Sequence, residues 1–137
     1  MLRAEITPAS LQARQAGCLP DKFGLIVTRI DEGRLDAELV IQPWMLAPNG
    51  YLHAASVLLL ADTASGYACM AHLPHGAKNF TTIELKSNFL GTAREGTIRT
   101  ECRAEHLGRT THVWSATVFG PNDRKLALFR CTQMILA

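Results

Sequence analysis

Six stretches of the chain carry either alternating apolar and polar residues or short apolar runs, the patterns typical of β-strands. The alternation is clearest in the second and fourth stretches, where every other side chain is charged. A turn at Asp31-Glu32-Gly33 joins the first two stretches into a hairpin with one solvent-facing side. The predicted strands are Leu25 to Ile30, Arg34 to Ile41, Thr81 to Leu90, Ile98 to His106, His112 to Phe119 and Lys125 to Leu136.

A long apolar stretch from Asn49 to Leu73 separates the second strand from the third. After the turn signal Pro48-Asn49-Gly50 come about twenty residues rich in Ala and Leu and free of proline, which predicts a helix. Because this helix has no polar face, we expect it to be buried on most sides. A shorter helix is predicted from Thr7 to Ala16, with Pro8 near its start and Gly17 after its end, and its low apolar content indicates a lid or a flank and not a part of the core.

The order of these elements is helix, two strands, long helix, four strands. Runs of strands around one apolar helix indicate an α+β fold with a mostly antiparallel sheet curled around that helix. A chain of 137 residues is the size of one domain, so residues 1–137 are expected to form a single unit.

Asp62 is the one charged residue in the middle of the apolar helix. An ionised carboxylate loses several kcal/mol of solvation free energy when it is buried without partners, so such a residue needs either partners or a function. Thr63, Ser65 or a backbone amide could satisfy the carboxylate, or it could lie at an interface between subunits. The alternative is a catalytic carboxylate.

His53 stands at the start of the same helix, where free backbone N–H groups and the positive end of the helix dipole favour negative charge. A purely structural role, as a histidine that caps the helix, is the simpler interpretation of this residue alone. Nine residues at 100° each place His53 and Asp62 on opposite sides of one helix. Both side chains can therefore contribute to one site only across two helices, which suggests a dimer.

Two segments of the helix region resemble a known family. Gly50-Tyr51-Leu52-His53-Ala54-Ala55 and Leu60-Ala61-Asp62-Thr63-Ala64 are similar to the Gly-x-x-His-Gly-Gly and Leu-Ala-Asp-x-Ala segments of hotdog-fold acyl-CoA thioesterases, of the phenylacetate-degradation and 4-hydroxybenzoyl-CoA type. The resemblance implies a hotdog fold, sheets joined in a homodimer or dimer of dimers, and pockets at the subunit interface. It also implies hydrolysis of an acyl-CoA thioester to free acid and CoA, with no cofactor beyond the coenzyme A of the substrate.

The resemblance assigns roles to individual residues. Asp62 would attack the thioester or activate a water, and the backbone N–H of Ala54, with Ala55 nearby, would stabilise the oxyanion. His53 would orient the site. Two departures from the family pattern are Ala54-Ala55 in place of Gly-Gly, which narrows the space for a bulky acyl group, and Ala47 where related enzymes carry Asn or Gln. Asn49 could replace that missing amide, or it could serve only the Asn-Gly turn.

Further candidates complete the expected site. Ser65 would position water or partner the carboxylate, and Thr82 is a weaker candidate for substrate contact. The cations Lys86, Arg94 and Arg109 are candidates for the phosphates of coenzyme A. Two other functions remain open: a hotdog protein that binds acyl groups or acyl carriers without turnover, and a hydratase on the same fold, which is less favoured because its usual Asp and His pairing is absent.

The composition excludes several other classes of protein. A hydrophobic fraction of 47% with 19% charged residues is typical of a globular chain, and a net charge of +2 without a Lys/Arg run predicts no nucleic-acid partner. No apolar signal region and no uncharged apolar stretch of ~18 residues are present, so we expect a cytoplasmic protein with no membrane partner. The spacing of the cysteines predicts reduced, apolar core residues and no metal site or disulfide: Cys18, Cys69, Cys102 and Cys131.

Overall fold

A computed structural model describes all residues 1–137. It contains three helices and six strands, together with two short 3-10 turns at Pro43–Met45 and Pro121–Asp123. The helices are α1 (Pro8–Arg14), α2 (Leu19–Lys22) and α3 (Ala54–Ala71). The strands are β1 (Ile26–Asp31), β2 (Arg34–Val40), β3 (Asn79–Phe89), β4 (Thr97–Leu107), β5 (Thr111–Phe119) and β6 (Lys125–Leu136).

The first helix is shorter than predicted, and the next one was not predicted. The side chain of Thr7 accepts a hydrogen bond from the Ser10 amide and the Ser10 hydroxyl accepts one from the Thr7 amide, so this capping box fixes the start of α1. Leu11 is its only buried residue, which confirms that α1 flanks the core. Four residues are too few to show a helical period, which explains why the pattern of the sequence did not predict α2.

The six strands form one sheet in the order β1-β2-β4-β5-β6-β3, and all five pairings are antiparallel. The predicted β1–β2 hairpin is confirmed, with Ile30 opposite Leu35 on either side of the turn. β3 pairs only with β6, so one long side of this 11-residue strand has no neighbour in the protomer.

The sheet wraps around α3, as the apolar pattern predicts. Eleven of the 18 residues of α3 are buried, and strands β2, β3, β4, β5 and β6 all contact the helix. Side chains at alternate positions of the strands face the helix. The largest fully buried one is Trp114 on β5. The long central helix inside a curved antiparallel sheet is the hotdog architecture.

Three of the four cysteines contribute to this core. Cys69, Cys102 and Cys131 are fully buried and free, and burial raises the pKa of their thiols to about 12, about 12 and about 11. They are therefore protonated apolar groups, as predicted. The prediction is wrong for Cys18, which is exposed because it precedes α2 on the surface.

Two buried histidines link α3 to the sheet. His72 Nε2 accepts a hydrogen bond from the Gly33 amide at 2.9 Å, so Nδ1 carries the proton and donates to the Ala68 carbonyl at 2.7 Å. On β5, His112 is also buried and lies beside Trp114, whose indole N–H makes a long contact of 3.5 Å with His112 Nδ1. Burial lowers the pKa of both imidazoles, that of His112 to about 4. Both rings are neutral in the fold.

The lowered pKa of His112 predicts a loss of stability in acid. The unfolded chain takes up a proton near the ordinary pKa of 6.5 whereas the folded chain does so only near 4, so stability falls as pH drops through 6.5 and stops falling below about 4. A difference of about 2.5 pKa units corresponds to roughly 3 kcal/mol of unfolding free energy. Urea denaturation at pH 7, 5.5 and 4.5 measures this loss.

The variant His112→Gln removes the titrating group, and we expect its unfolding free energy to depend less on pH over this range. His75→Gln, a change at an exposed histidine in the loop after α3, is the matched control and should retain the wild-type dependence. Equal pH dependence in wild type and His112→Gln would contradict the role given to His112.

Candidate active site at the start of the central helix

His53 caps the N-terminus of α3. Its backbone is extended, with φ −65° and ψ 138°, and its Nδ1 accepts a hydrogen bond from the Ala55 amide at 2.9 Å. The capping interpretation of this residue is therefore confirmed. Because Nδ1 is an acceptor, the proton of the neutral ring lies on Nε2, which is free to donate a hydrogen bond from an exposed side chain.

The amide of Ala54 is the free donor of the first turn of α3. The amides of Ser56 and Val57 both donate to the His53 carbonyl, and the Ala55 amide donates to the His53 ring. The Ala54 amide makes no hydrogen bond. A helix N-terminus with one exposed N–H is suited to hold a developing oxyanion. The Ala55 amide is engaged by the capping histidine, so Ala55 lies near the free amide without offering a second donor.

A cavity of about 430 Å³ opens beside this amide. Asn49 lies in its wall, and its side-chain oxygen accepts a hydrogen bond from the Tyr51 amide at 3.1 Å while Gly50 adopts φ +87°. Asn49 thus forms the Asn-Gly turn, and its amide nitrogen makes no hydrogen bond within the chain. The lining residues are Ala47, Asn49, Tyr51, Leu52, His53, Ala54, Val57, Phe89, Gly91 and Thr92.

Asp62 lies on the partly open side of α3. One carboxylate oxygen, Oδ1, is buried and has no hydrogen-bond partner. Neither Thr63, Ser65 nor any backbone amide bonds to the carboxylate, so the structural explanation that the sequence left open is not met within one protomer. Burial raises the pKa of Asp62, which strengthens the carboxylate as a base.

Ser65 does not belong to the site. It is fully buried, and its hydroxyl lies 3.3 Å from the Cys102 sulfur on β4. A residue three positions after Asp62 is rotated by about 60° around the helix axis, and this rotation turns Ser65 toward the sheet. The predicted role of Ser65, to position water or partner the carboxylate, is corrected to a contact in the core.

The structure separates Asp62 from the cavity at the start of α3. Nine residues of helix correspond to about 13 Å along the axis, and Asp62 is absent from the lining of the cavity that contains His53 and Ala54. Within one protomer the Asp62 carboxylate and the Ala54 amide therefore lie apart. The helical period predicts this separation.

The candidate substrate-binding residues occupy three different places. The Arg94 guanidinium lies 4.3 Å above the ring of Tyr51, at the cavity beside α3. Lys86 lies in a shallow depression on the outer face of the sheet with Arg130. Arg109 borders a cavity near the C-terminal end of α3, and Thr82 is half-buried opposite Gln133 of β6. Of these four residues, only Arg94 is shown in contact with a residue that lines the cavity beside Ala54, namely Tyr51.

Four apolar residues of the cavity were not recognised from the sequence: Tyr51, Leu52, Val57 and Phe89. Val57 follows His53 by one helical turn, so the spacing in the sequence was sufficient to place Val57 on the same side of α3 as His53. Phe89 ends β3 and reaches the cavity because β3 returns along α3 toward the start of the helix.

Comparison with known proteins places the chain in a family. Residues 49–127, more than half of the chain and including the start of α3 and Asp62, match the model of the thioesterase superfamily. The chain belongs to the thioesterase superfamily, and it is a thioester hydrolase with the hotdog fold.

Individual relatives cover nearly the whole chain. The proofreading thioesterase EntH of Klebsiella pneumoniae is 29% identical over 98% of this chain and 97% of its own length. The 1,4-dihydroxy-2-naphthoyl-CoA hydrolase of Escherichia coli is 27% identical over 98% of both chains. The crystal structure of a mutant of thioesterase PA1618 from Pseudomonas aeruginosa is 27% identical and superposes with a TM-score of 0.93 over 98% of this chain and 97% of that one.

Proposed function

We propose that the protein hydrolyses an acyl-CoA thioester to a free acid and CoA, in a site shared by two copies of the chain. The Ala54 amide of one protomer binds the thioester oxygen, and Asp62 of the other supplies the carboxylate. The observation that carries the proposal is that each protomer has an unpaired amide at one point of α3 and, at another, a carboxylate with one buried oxygen that has no partner. The name of the relative from E. coli, a CoA hydrolase, supports a CoA thioester as substrate.

The edge strand β3 provides the surface for such a dimer. An 11-residue strand with no neighbour on one side has unpaired N–H and C=O groups that a second β3 can satisfy. Its apolar side chains are unusually exposed, at 53% for Ile83, 43% for Leu85 and 47% for Phe89. A continuous sheet across two copies covers these side chains and brings each α3 next to the partner. We propose a homodimer, or a dimer of dimers, on these grounds.

The chemistry follows from the two groups. As a general base, Asp62 takes a proton from water while the water oxygen bonds to the thioester carbon, and the carbonyl oxygen becomes negative against the Ala54 amide. As a nucleophile, Asp62 bonds to that carbon itself, the thiolate leaves, and water then hydrolyses the mixed anhydride. In either route the C–S bond breaks and the sulfur leaves as the CoA thiol after protonation.

The Ala54-Ala55 pair restricts the acyl group. Both methyl groups are exposed at the start of α3, and Ala54 lines the cavity, so a bulky acyl group has less room there than beside glycines. We propose that small or flat acyl groups are preferred. We further propose that the reaction needs no cofactor beyond the coenzyme A of the substrate and that it takes place in the cytoplasm.

A second candidate function is binding of acyl-CoA without turnover. This function is favoured by the hydrogen bond from the Ala55 amide to the His53 ring, because only one backbone donor is then left for the thioester oxygen. Loss of one oxyanion donor typically lowers kcat by about 10²- to 10³-fold.

The proposal is tested by a thiol-release assay on the wild type and the variant Ala54→Pro. The substrates are acetyl-, medium-chain, phenylacetyl- and benzoyl-CoA. Proline is favoured at the first position of a helix, and His53 already has the extended backbone that must precede proline, so the variant removes one N–H without disturbing α3. We expect kcat to fall about 10²- to 10³-fold. Ala54→Gly retains the N–H and is the matched control, with kcat near that of the wild type. If wild type releases no thiol from any ester but binds them, the binding function replaces the hydrolase.

A further inference from the structure

Gly66 lies in the interior of α3, where glycine lowers the stability of a helix relative to alanine. A close contact explains the glycine. A methyl group placed on Gly66 would lie 3.0 Å from Phe80 Cζ and 3.5 Å from Phe80 Cε2. Residue 66 is buried although it has no side chain. The Phe80 ring of β3 therefore packs directly against the backbone of α3 at this point.

The Phe80 ring covers the surface of α3 next to Asp62. Residues 62 and 66 are one turn apart on the same face of the helix, with about 5–6 Å between their Cβ positions. Helical side chains lean toward the N-terminus, so a side chain at position 66 would cover the turn that contains Asp62. Gly66 has no side chain there, and the Phe80 ring takes that place. Phe80 thus provides apolar cover for the carboxylate on its C-terminal side.

Leu58 provides the corresponding cover on the N-terminal side of Asp62. It lies one turn before Asp62 and packs against the core. In the proposed site, Ala54 of each protomer meets Asp62 of the other, so the two α3 helices run antiparallel and residue 58 lies at the two-fold axis. The other protomer therefore closes the Leu58 side of the carboxylate. The opposite side is closed by Phe80 of the same chain.

The carboxylate of Asp62 forms no ion pair within the chain. The titratable side chains that face α3 from the strands are the protonated thiols of Cys102 and Cys131 and the neutral imidazole of His112. Glu84 of β3 is exposed on the outer face of the sheet. Burial is the cause that raises the pKa of Asp62. The apolar groups on either side of the carboxylate therefore determine its basicity.

We propose that Phe80, packed against Gly66, is a positioning residue for Asp62 in the hydrolysis of the thioester. The inference rests on the proposed function of this site. The ring keeps water away from one side of the carboxylate and leaves it open only toward the other protomer, where the substrate binds. A carboxylate with less water around it is a stronger base, and a fixed ring beside it limits the orientations of the side chain. Phe80 acts on the reaction through Asp62.

The variant Phe80→Val tests this role. Valine retains a high strand propensity but is too short to cover the helix. We expect kcat to fall about 10-fold, less than on loss of the base itself, with KM within a factor of two of the wild type. The pH at which the rate reaches half of its maximum should move to a lower value, because water then reaches the carboxylate. Phe80→Met, whose long flexible side chain again covers Gly66, should restore kcat and the pH profile.

Phe23→Val is the matched control, because Phe23 is a half-buried phenylalanine that packs edge-on against Trp44. It should retain the wild-type kcat and pH profile. If Phe80 acts through the carboxylate, Phe80→Val has no further effect on the residual rate of Asp62→Asn. An equal loss in both backgrounds would overturn the proposal. Phe80→Leu, with the same expected directions, replaces Phe80→Val if the valine variant does not fold.

Titration of the Asp62 carboxyl group by 13C NMR separates the positioning role from the hydrolase function. In the proposed dimer, His53 of the other protomer is a second ionisable group at the site, and this measurement observes Asp62 itself. We expect the pKa of Asp62 to be lower in Phe80→Val than in wild type and unchanged in Phe23→Val. If it changes in this way while no ester is hydrolysed, the contact stands and the proposed function fails. If esters are hydrolysed but neither the pH profile nor the titration changes, the positioning role is wrong.

Discussion

The variant Asp62→Asn is expected to lose hydrolysis by about 10²- to 10⁴-fold in kcat, the range in which a general base contributes. The reason is the environment of the carboxylate in α3. It has a buried oxygen with no hydrogen-bond partner, and burial raises its pKa, so the ionised form is a stronger base than an exposed aspartate. Asparagine has nearly the same shape but neither accepts a proton nor attacks a carbonyl. Thiol release from the best ester of the panel measures the loss.

The same substitution is expected to raise the Tm at pH 7. A carboxyl group whose pKa is higher in the folded than in the unfolded chain contributes stability at low pH, and this contribution is lost as pH rises through the folded pKa. The asparagine side chain of the variant does not ionise, so the variant avoids this loss. The rate of the wild type should fall as pH drops through the raised pKa of Asp62, whereas the residual rate of the variant should not follow that profile.

Asp31→Asn is the matched control, because Asp31 is an exposed carboxylate paired with Arg29 on the surface. Surface ion pairs contribute little to stability, so both kcat and Tm should remain near the wild-type values. A fully active Asp62→Asn enzyme would contradict the role of Asp62. A variant that is inactive because it unfolds would show a lowered Tm instead of a raised one.

The period of apolar residues predicted most of the fold because the core is built from regular elements. Strands such as β2 and β4 place their charged residues outward at every second position, and α3 has no polar face because the sheet surrounds it. The one-turn helix α2 was not predicted since four residues carry no period. The exposed Cys18 was assigned to the core because a cysteine in a loop looks no different in sequence from one in a strand.

The site was predicted only as far as one helix determines it. Helical geometry separates His53 from Asp62 without any tertiary information. It does not say which side of α3 meets the sheet. The prediction therefore put Ser65 in the site, whereas its hydroxyl lies against Cys102. Phe89 reaches the cavity through a tertiary contact. The short connection of residues 72–78 forces β3 to run back along α3, so that the end of β3 lies beside the start of the helix.

A mixture of two inactive variants is expected to regain activity if the site is shared between protomers. In a dimer of one Asp62→Asn chain and one Ala54→Pro chain, one site combines the intact Ala54 amide of the first with the intact Asp62 of the second, and the other site lacks both. Random exchange of subunits makes half of the dimers mixed, so the mixture should recover about a quarter of the wild-type rate in a symmetric dimer.

The experiment requires that subunits exchange, so the two chains are coexpressed with different affinity tags and the doubly tagged dimer is purified. This dimer should show about half of the wild-type activity, because one of its two sites is complete. The control is a dimer of a chain carrying both substitutions with a wild-type chain, in which each site lacks one of the two groups and activity should stay low. If instead both groups act within one chain, the order reverses: the first dimer is inactive and the control retains half of the activity.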